Sequence, residues 1–250
     1  MDKLQVGIEL YLSGDLYGST KILKEYIDSD GSSKGTAYFH LGMIYSDRQL
    51  LTDACDYFKK AVSLEPNKSM YHYRLGVVYS RLMILDSAII ELQKSIDLNP
   101  EHQRSRYILG TIYFKKGDMD NTVKVFSSLI KLSPSFADAY YYRALAYYHQ
   151  GVNDKAIDDF NKALELNPNY NDAKNKLASL YYHDGNYNKA VKLYGEIYNN
   201  GIRDWLFIQN YIKALKSEGL KDKALEVAKE ASLLYPYNQE LQSFLGDKDI

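Results

Sequence analysis

Apolar positions recur along this chain with a helical period nested inside a longer one. In residues 35–68, Tyr38, Leu41, Gly42 and Tyr45 share one helical face, and Ala54, Phe58 and Ala61 share the next. Steps of three and four residues place side chains on one stripe of an amphipathic helix. The stretch therefore predicts two helices joined by a turn. Pro66 closes it, because proline lacks the N–H of a continuing helix and biases the residue before it away from helical dihedrals. Shifted by 34 residues, the same positions hold His72, Leu75, Gly76, Tyr79, Ala88, Leu92, Ser95 and Pro100. A further shift gives Arg106, Leu109, Gly110, Tyr113, Thr122, Phe126, Leu129 and Pro134, and the next gives Tyr140, Arg143, Ala144, Tyr147, Ala156, Phe160, Ala163 and Pro168. All five prolines, Pro236 included, fall in this one slot. A second ladder of Gly117, Gly151, Gly185 and Gly219, also 34 apart, marks the turn between the helices.

The period divides the chain into residues 1–34, 35–68, 69–102, 103–136, 137–170, 171–204, 205–238 and a remainder, 239–250. The first segment is degenerate and offset by one residue, with Val6, Gly7 and Leu10 on its first helix and Ser19, Leu23 and Tyr26 on its second. The linker from Asp30 to Gly35 replaces the proline and is expected to be loose. Segment 171–204 has Ile202 in the proline slot and ends its helix at Asn199-Asn200-Gly201, which predicts the weakest joint. Segment 205–238 moves bulk onto its first helix through Tyr211, Ile212 and Leu215 and answers with Ala224, Ala228 and Ala231 on its second. Residues 239–250 read as a capping helix or the start of a truncated eighth unit.

An aromatic-x-x-Leu-Gly-x-x-Tyr helix, then Ala-x-x-x-Phe, then Pro, resembles the tetratricopeptide repeat family, and the resemblance covers nearly the whole chain. It implies an all-α fold, a right-handed superhelical solenoid of tandem helix-turn-helix units. It further implies that first helices line a concave groove and second helices the convex side. The function implied is a non-enzymatic scaffold or adaptor holding an extended or helical peptide in that groove. The alternatives are a structural subunit that self-associates, and a regulatory segment of a larger protein.

Slots 2, 5, 6, 9, 12 and 13 of each first helix follow the helical period and would face the groove. The fifth slot runs Phe39, Tyr73, Tyr107, Tyr141, Asn175 and Gln209, and the twelfth adds Phe114, Tyr148 and Tyr182. Charges in these slots are Arg74, Arg81, Arg104, Lys115, Lys176, Lys213 and Lys216 against Asp47, Asp138 and Asp172. That is a surplus of +4 in a chain whose formal net charge is −1. Such asymmetry favours acidic or carboxylate-bearing protein or peptide partners. The candidate groove residues are Phe39, Tyr73, Arg74, Arg104, Tyr107, Tyr141, Tyr148, Asn175, Lys176, Tyr182, Asn210 and Lys213. The family's carboxylate clamp needs a fixed set of Lys, Asn and Arg over three repeats. Asn175 and Asn210 supply fragments of it only.

Composition narrows the classes further. The near-neutral charge gives no bulk attraction to nucleic acid, and no stretch is apolar over the roughly 18 residues of a membrane span. A single cysteine, Cys55, excludes an internal disulfide and fits a reducing, cytoplasmic setting; the first residues lack the features of a signal peptide. His149 and His183 repeat at 34 residues without the nearby ligands a metal needs. No phosphate loop, nucleophile elbow or paired carboxylates occur, so neither a cofactor nor catalysis is expected. The turns at Arg48-Gln49-Leu50-Leu51 and Arg81-Leu82-Met83-Ile84-Leu85 lack glycine. Leu50, Leu82, Met83 and Ile84 then form a candidate apolar association patch, through which copies would form a homo-oligomer.

Overall fold

A computed structural model describes residues 2–29 and 31–246, and the described residues form fifteen α-helices and no strand. Two compact units, Met1–Pro134 and Ser135–Ile250, are described in turn. The first holds α1 (Lys3–Leu12), α2 (Leu16–Ile27), α3 (Lys34–Asp47), α4 (Leu51–Leu64), α5 (Ser69–Arg81), α6 (Leu85–Leu98), α7 (Gln103–Lys115) and α8 (Met119–Leu132). The second holds α9 (Ala137–His149), α10 (Asn153–Leu166), α11 (Asn171–His183), α12 (Tyr187–Asn199), α13 (Trp205–Ser217), α14 (Lys221–Leu234) and α15 (Gln239–Gly246). Within each unit every odd-numbered helix from α1 to α13 packs on the even-numbered one that follows, each pair stacks on the next pair, and α15 packs on α14. The architecture is an all-α helical repeat.

The pairs lock together at the small residue of each first helix. A Cβ placed on Gly42 would stand 2.7 Å from the Phe58 ring, one on Gly76 2.7 Å from Leu92, and one on Gly110 2.7 Å from Phe126. The missing side chain is what lets the second helix seat its large residue there. Phe58, Leu92, Phe126 and Phe160 are fully buried, each contributing roughly 1.5–3 kcal/mol of hydrophobic stabilisation. The degenerate first segment obeys the same rule, with Gly7 against Leu23. In α13 and α14 the volumes are exchanged: Tyr211, Ile212 and Leu215 are buried against Ala224, Ala228 and Ala231.

Turns need a left-handed residue, and the glycine ladder supplies it, for example at Gly117 (φ +78°) and Gly151 (φ +74°). The two turns without glycine keep that geometry on ordinary residues, Gln49 (φ +63°) and Met83 (φ +60°).

Two joints differ from expectation in how they are held. The linker before α3 is fastened by Tyr26, whose ring lies against Gly31 and whose hydroxyl accepts from the Ser33 N–H at 3.2 Å; Asp30 lies outside the described residues. At 199–204, where the proline is absent, Gly201 takes φ +86° and Arg203 ties the joint to its neighbours. Its Nη1 donates to the Tyr198 carbonyl at 2.5 Å, its guanidinium lies 3.7 Å over the Tyr198 ring, and its own carbonyl accepts from the Tyr235 hydroxyl at 2.6 Å. The remainder of the chain continues as α15, with Leu241 buried and Phe244 and Leu245 packed on the same core; residues 247–250 lie outside the described residues.

Candidate functional site

Among the first helices, α1 adjoins α3 and α5 adjoins α7 in the first unit, and α11 adjoins α13 in the second, so the outward slots of each such pair share a face. In the first unit the aromatic slots are spent mostly on packing. The Phe39 ring stacks on Tyr71 at 4.5 Å. Tyr73, expected on an open wall, is only 8% exposed and packs against the His102 ring at 4.7 Å. Tyr107 meets Phe126 edge-on at 6.2 Å and stays partly open.

The basic candidates of this unit remain available. Arg104 is exposed, and Arg74 lies 5.6 Å over the Tyr73 ring with its Nε buried and without a hydrogen-bond partner among the described residues. His102 records the resulting field. Burial pushes its imidazole below the usual histidine value, and the charges of Arg104, Arg106 and Arg74 push it the same way. The Nδ1 of His102 accepts from the Ser105 N–H at 3.2 Å and lies 2.7 Å from the Ser105 hydroxyl, capping α7.

In the second unit the candidates separate into two environments. Tyr141 packs on Tyr170 at 4.8 Å, and its hydroxyl is pushed up to about 12, by burial first and then by the Asp172 charge. Tyr170 is raised too, by burial and by its hydrogen bond to Asp138. This corner is therefore acidic. Tyr182 leans on Tyr187 at 5.4 Å. Lys213 stands 3.8 Å from Glu240 of α15, an exposed and loose pair.

Farther along the same face, Tyr148, Asn175, Lys176 and Asn210 converge. They line one cavity of about 130 Å³ together with Asp204 and Leu206. Asn175 and Asn210 sit on the adjoining helices α11 and α13, and neither amide makes a hydrogen bond among the described residues. Lys176 is exposed, and the Leu206 side chain is 63% exposed beside it. Asp204 caps α13 by accepting from the Phe207 N–H at 3.2 Å. The cavity thus offers two amides, an ammonium, a phenol, a carboxylate and an apolar shelf, which match a peptide main chain and its side chains. Sequence reasoning missed Asp204 and Leu206. Leu206 occupies the second groove slot, where only charges had been weighed; Asp204 lies at the joint, outside the slots read as groove.

The turn edge is divided as well. Met83 and Ile84 are 65% and 45% exposed and Leu50 is 41% exposed, whereas Leu82 turns inward onto the cluster of Ala54, Phe58 and Leu75. Cys55 is buried, and burial pushes its thiol up, away from the reactive thiolate. No described helix is long and apolar enough to cross a membrane.

Tetratricopeptide repeat models match residues 35–68 and 137–170, and a TPR repeat model matches 110–151. A solved structure of MamA is 31% identical, covers 66% of this chain and 95% of its own, and superposes with a TM-score of 0.61. The chain belongs to the tetratricopeptide repeat family. YrrB, a TPR protein with an unusual peptide-binding site, is 24% identical, with coverage of 68% and 88% and a TM-score of 0.64. PilF of Pseudomonas aeruginosa is 22% identical, with coverage of 86% and 97% and a TM-score of 0.69. These last two likenesses bear on the fold alone. No curated protein matches the sequence. TPR repeats generally serve as non-catalytic scaffolds, and the family membership of this chain suggests a protein–protein interaction scaffold.

Proposed function

We propose that this TPR protein is a non-enzymatic, cytoplasmic adaptor that binds an acidic peptide segment of a protein partner along its first-helix faces. The observation that carries the reading is the cavity where Tyr148, Asn175, Lys176 and Asn210 meet, with both amides half-buried on its lining. Side-chain amides can donate to and accept from a peptide unit at once, so two on neighbouring helices fix an extended strand in register. Lys176, on the same cavity, would meet a carboxylate of the bound segment. YrrB, whose peptide-binding site is described as unusual, lends support by likeness of fold. The test is capture of partners by wild type and by an Asn175→Ala, Asn210→Ala variant, followed by titration of the captured sequences as peptides. Wild-type binding lost in the variant supports the reading; equal capture by both overturns it.

A second reading, self-association, rests on Met83, which keeps a bulky apolar side chain exposed in a strained turn where sister repeats have glycine. If a second copy covers Leu50, Met83 and Ile84, light scattering will show mass rising with concentration in wild type and not in Met83→Asp, Ile84→Asp. A wild type that stays monomeric throughout removes it.

A further inference from the structure

Three repeats carry a buried or half-buried basic side chain on the first helix, paired with a carboxylate on the second. His72 Nδ1 of α5 lies 2.6 Å from Glu91 of α6. Arg143 of α9 donates through Nε and Nη2 to the two oxygens of Asp159 of α10, each at 2.7 Å. Lys174 of α11 lies 2.7 Å from Glu196 of α12. Such pairs hold because each partner offsets the desolvation of the other, and removing one leaves an uncompensated charge.

The α7–α8 repeat keeps the cation and lacks the acid. Arg106 occupies the slot of His72 and Lys174, but the slot of Glu91 and Asp159 holds Val125, and the slot of Glu196 holds Ser128. Nη1 of Arg106 is buried and has no hydrogen-bond partner among the described residues. Where the sister carboxylates would stand there is a cavity of about 260 Å³ between α6, α7 and α8, lined by Arg106, Val125 and Ser128 and rimmed by Gln93, Asn121 and Lys124. Among the described residues no carboxylate lines it. The nearby Asp118 is turned onto Asn121, accepting from its N–H at 3.1 Å and its Nδ2 at 2.8 Å. The Gln93 amide donates to Asp97 at 3.0 Å and the Ser128 hydroxyl to the Val125 carbonyl at 2.7 Å, whereas Arg106 Nη1 and the exposed Lys124 ammonium are available to a bound acceptor, beside the Tyr113 ring on the same lining.

We propose that this cavity is a second binding site, separate from the first-helix face, which takes the carboxylate of an aspartate or glutamate side chain from a protein partner in the seat that an intrachain acid fills in the sister repeats. A carboxylate there would accept from Arg106 Nη1 and be flanked by Lys124, giving the buried guanidinium the charge-assisted bond it lacks. Burial pushes the Arg106 guanidinium below its ordinary value, in agreement with that geometry. The volume is too large for one ordered water alone and admits a side chain with its carboxylate.

The test is an NMR titration of the intact chain with three probes at matched ionic strength: acetyl-Ala-Glu-Ala-amide, inorganic phosphate and sodium chloride. The expected result is saturable movement of the Arg106 Nε–H signal and of the 93, 121 and 124 amides with the glutamate peptide at millimolar concentration. Arg106→Gln should abolish that movement, and Lys124→Gln should weaken it several-fold. Val125→Asp should supply the acid from within and also abolish it. If Val125→Asp fails to fold, Arg106→Gln and Lys124→Gln still decide. Movement with phosphate and none with the peptide would overturn the carboxylate assignment. Equal movement with chloride, or a response unchanged in Arg106→Gln, would overturn the site itself.

Discussion

At the scale of single residues, two positions set opposite expectations. Gly76 leaves only 2.7 Å between a would-be Cβ and Leu92, with the Ala88 carbonyl at 3.3 Å behind it. Gly76→Leu should therefore destabilise by roughly 1–3 kcal/mol or more, read as a fall in the midpoint of chemical denaturation. Met83 sits at φ +60° with its side chain 65% exposed, so it bears left-handed strain without packing in return. Met83→Gly relieves about 1–2 kcal/mol of strain and costs about 0.5–1 kcal/mol in chain entropy. The net gain expected is a few tenths to about 1 kcal/mol, checked in the same denaturation series. Gly76 was legible in the sequence, because a glycine recurring every 34 residues on the packed face signals close approach. At Met83 the sequence showed only that the turn lacks glycine and leaves an apolar side chain there; the strain appears with the backbone angle. Arg106 was not legible in that way. It occupied a slot known only for aromatics and polar residues, and its missing acid shows only after three sister pairs are seen across the two helices.

At the scale of elements, helix ends carry a pH dependence. His102 caps α7 with Nδ1 as acceptor, which requires the proton on Nε2 alone. Protonation would break the cap and add a charge beside Arg74, Arg104 and Arg106, so the folded chain holds His102 neutral below the usual histidine value. With the folded value depressed and an unfolded value near ~6.5, stability is full above about pH 6.5 and falls as pH drops toward the lowered value. His40, also pushed down by burial, acts in the same direction. The melting temperature should fall between pH 7 and pH 5, and His102→Asn, which keeps a good cap that does not titrate, should reduce the slope while leaving His40's share. An unchanged slope would show that the cap does not titrate in this range. The elements themselves followed from periodicity, but the direction of their aromatic side chains did not. Phe39, Tyr73 and Tyr107 share a slot, yet Tyr73 is buried because His102, at the joint 29 positions on, offers its ring a partner. Nothing in a single repeat reveals which ring the next joint will cover.

At the scale of the molecule, a chain of net charge −1 concentrates positive charge on its first helices, and the structure shows which of those charges remain free to act. Arg81 is occupied by Gln49, Lys213 leans toward Glu240, and Lys216 lies 4.8 Å over the Phe244 ring. Arg104 and Lys176 are exposed, one in each unit, and only Lys176 borders a formed cavity. For the acidic peptide proposed as partner, these differences separate two kinds of contribution to binding. An exposed charge acts at a distance, steering encounter, and is screened by salt within a Debye length of about 10 Å at 0.1 M. An amide inside a cavity acts only after docking and so governs dissociation. Arg104→Ala should therefore lower the association rate several-fold and flatten its dependence on salt, with little change in dissociation. Asn175→Ala should leave association nearly unchanged and raise dissociation about tenfold, the equivalent of about 1.4 kcal/mol. Tyr237→Ala, at a residue 95% exposed, should change neither and serves as the control. Stopped-flow association and surface-captured dissociation, each at low and high salt, measure the two rates separately. If Asn175→Ala instead slows association and leaves dissociation alone, the cavity is not where the peptide comes to rest, and the adaptor's binding face must be sought on another side of the helices.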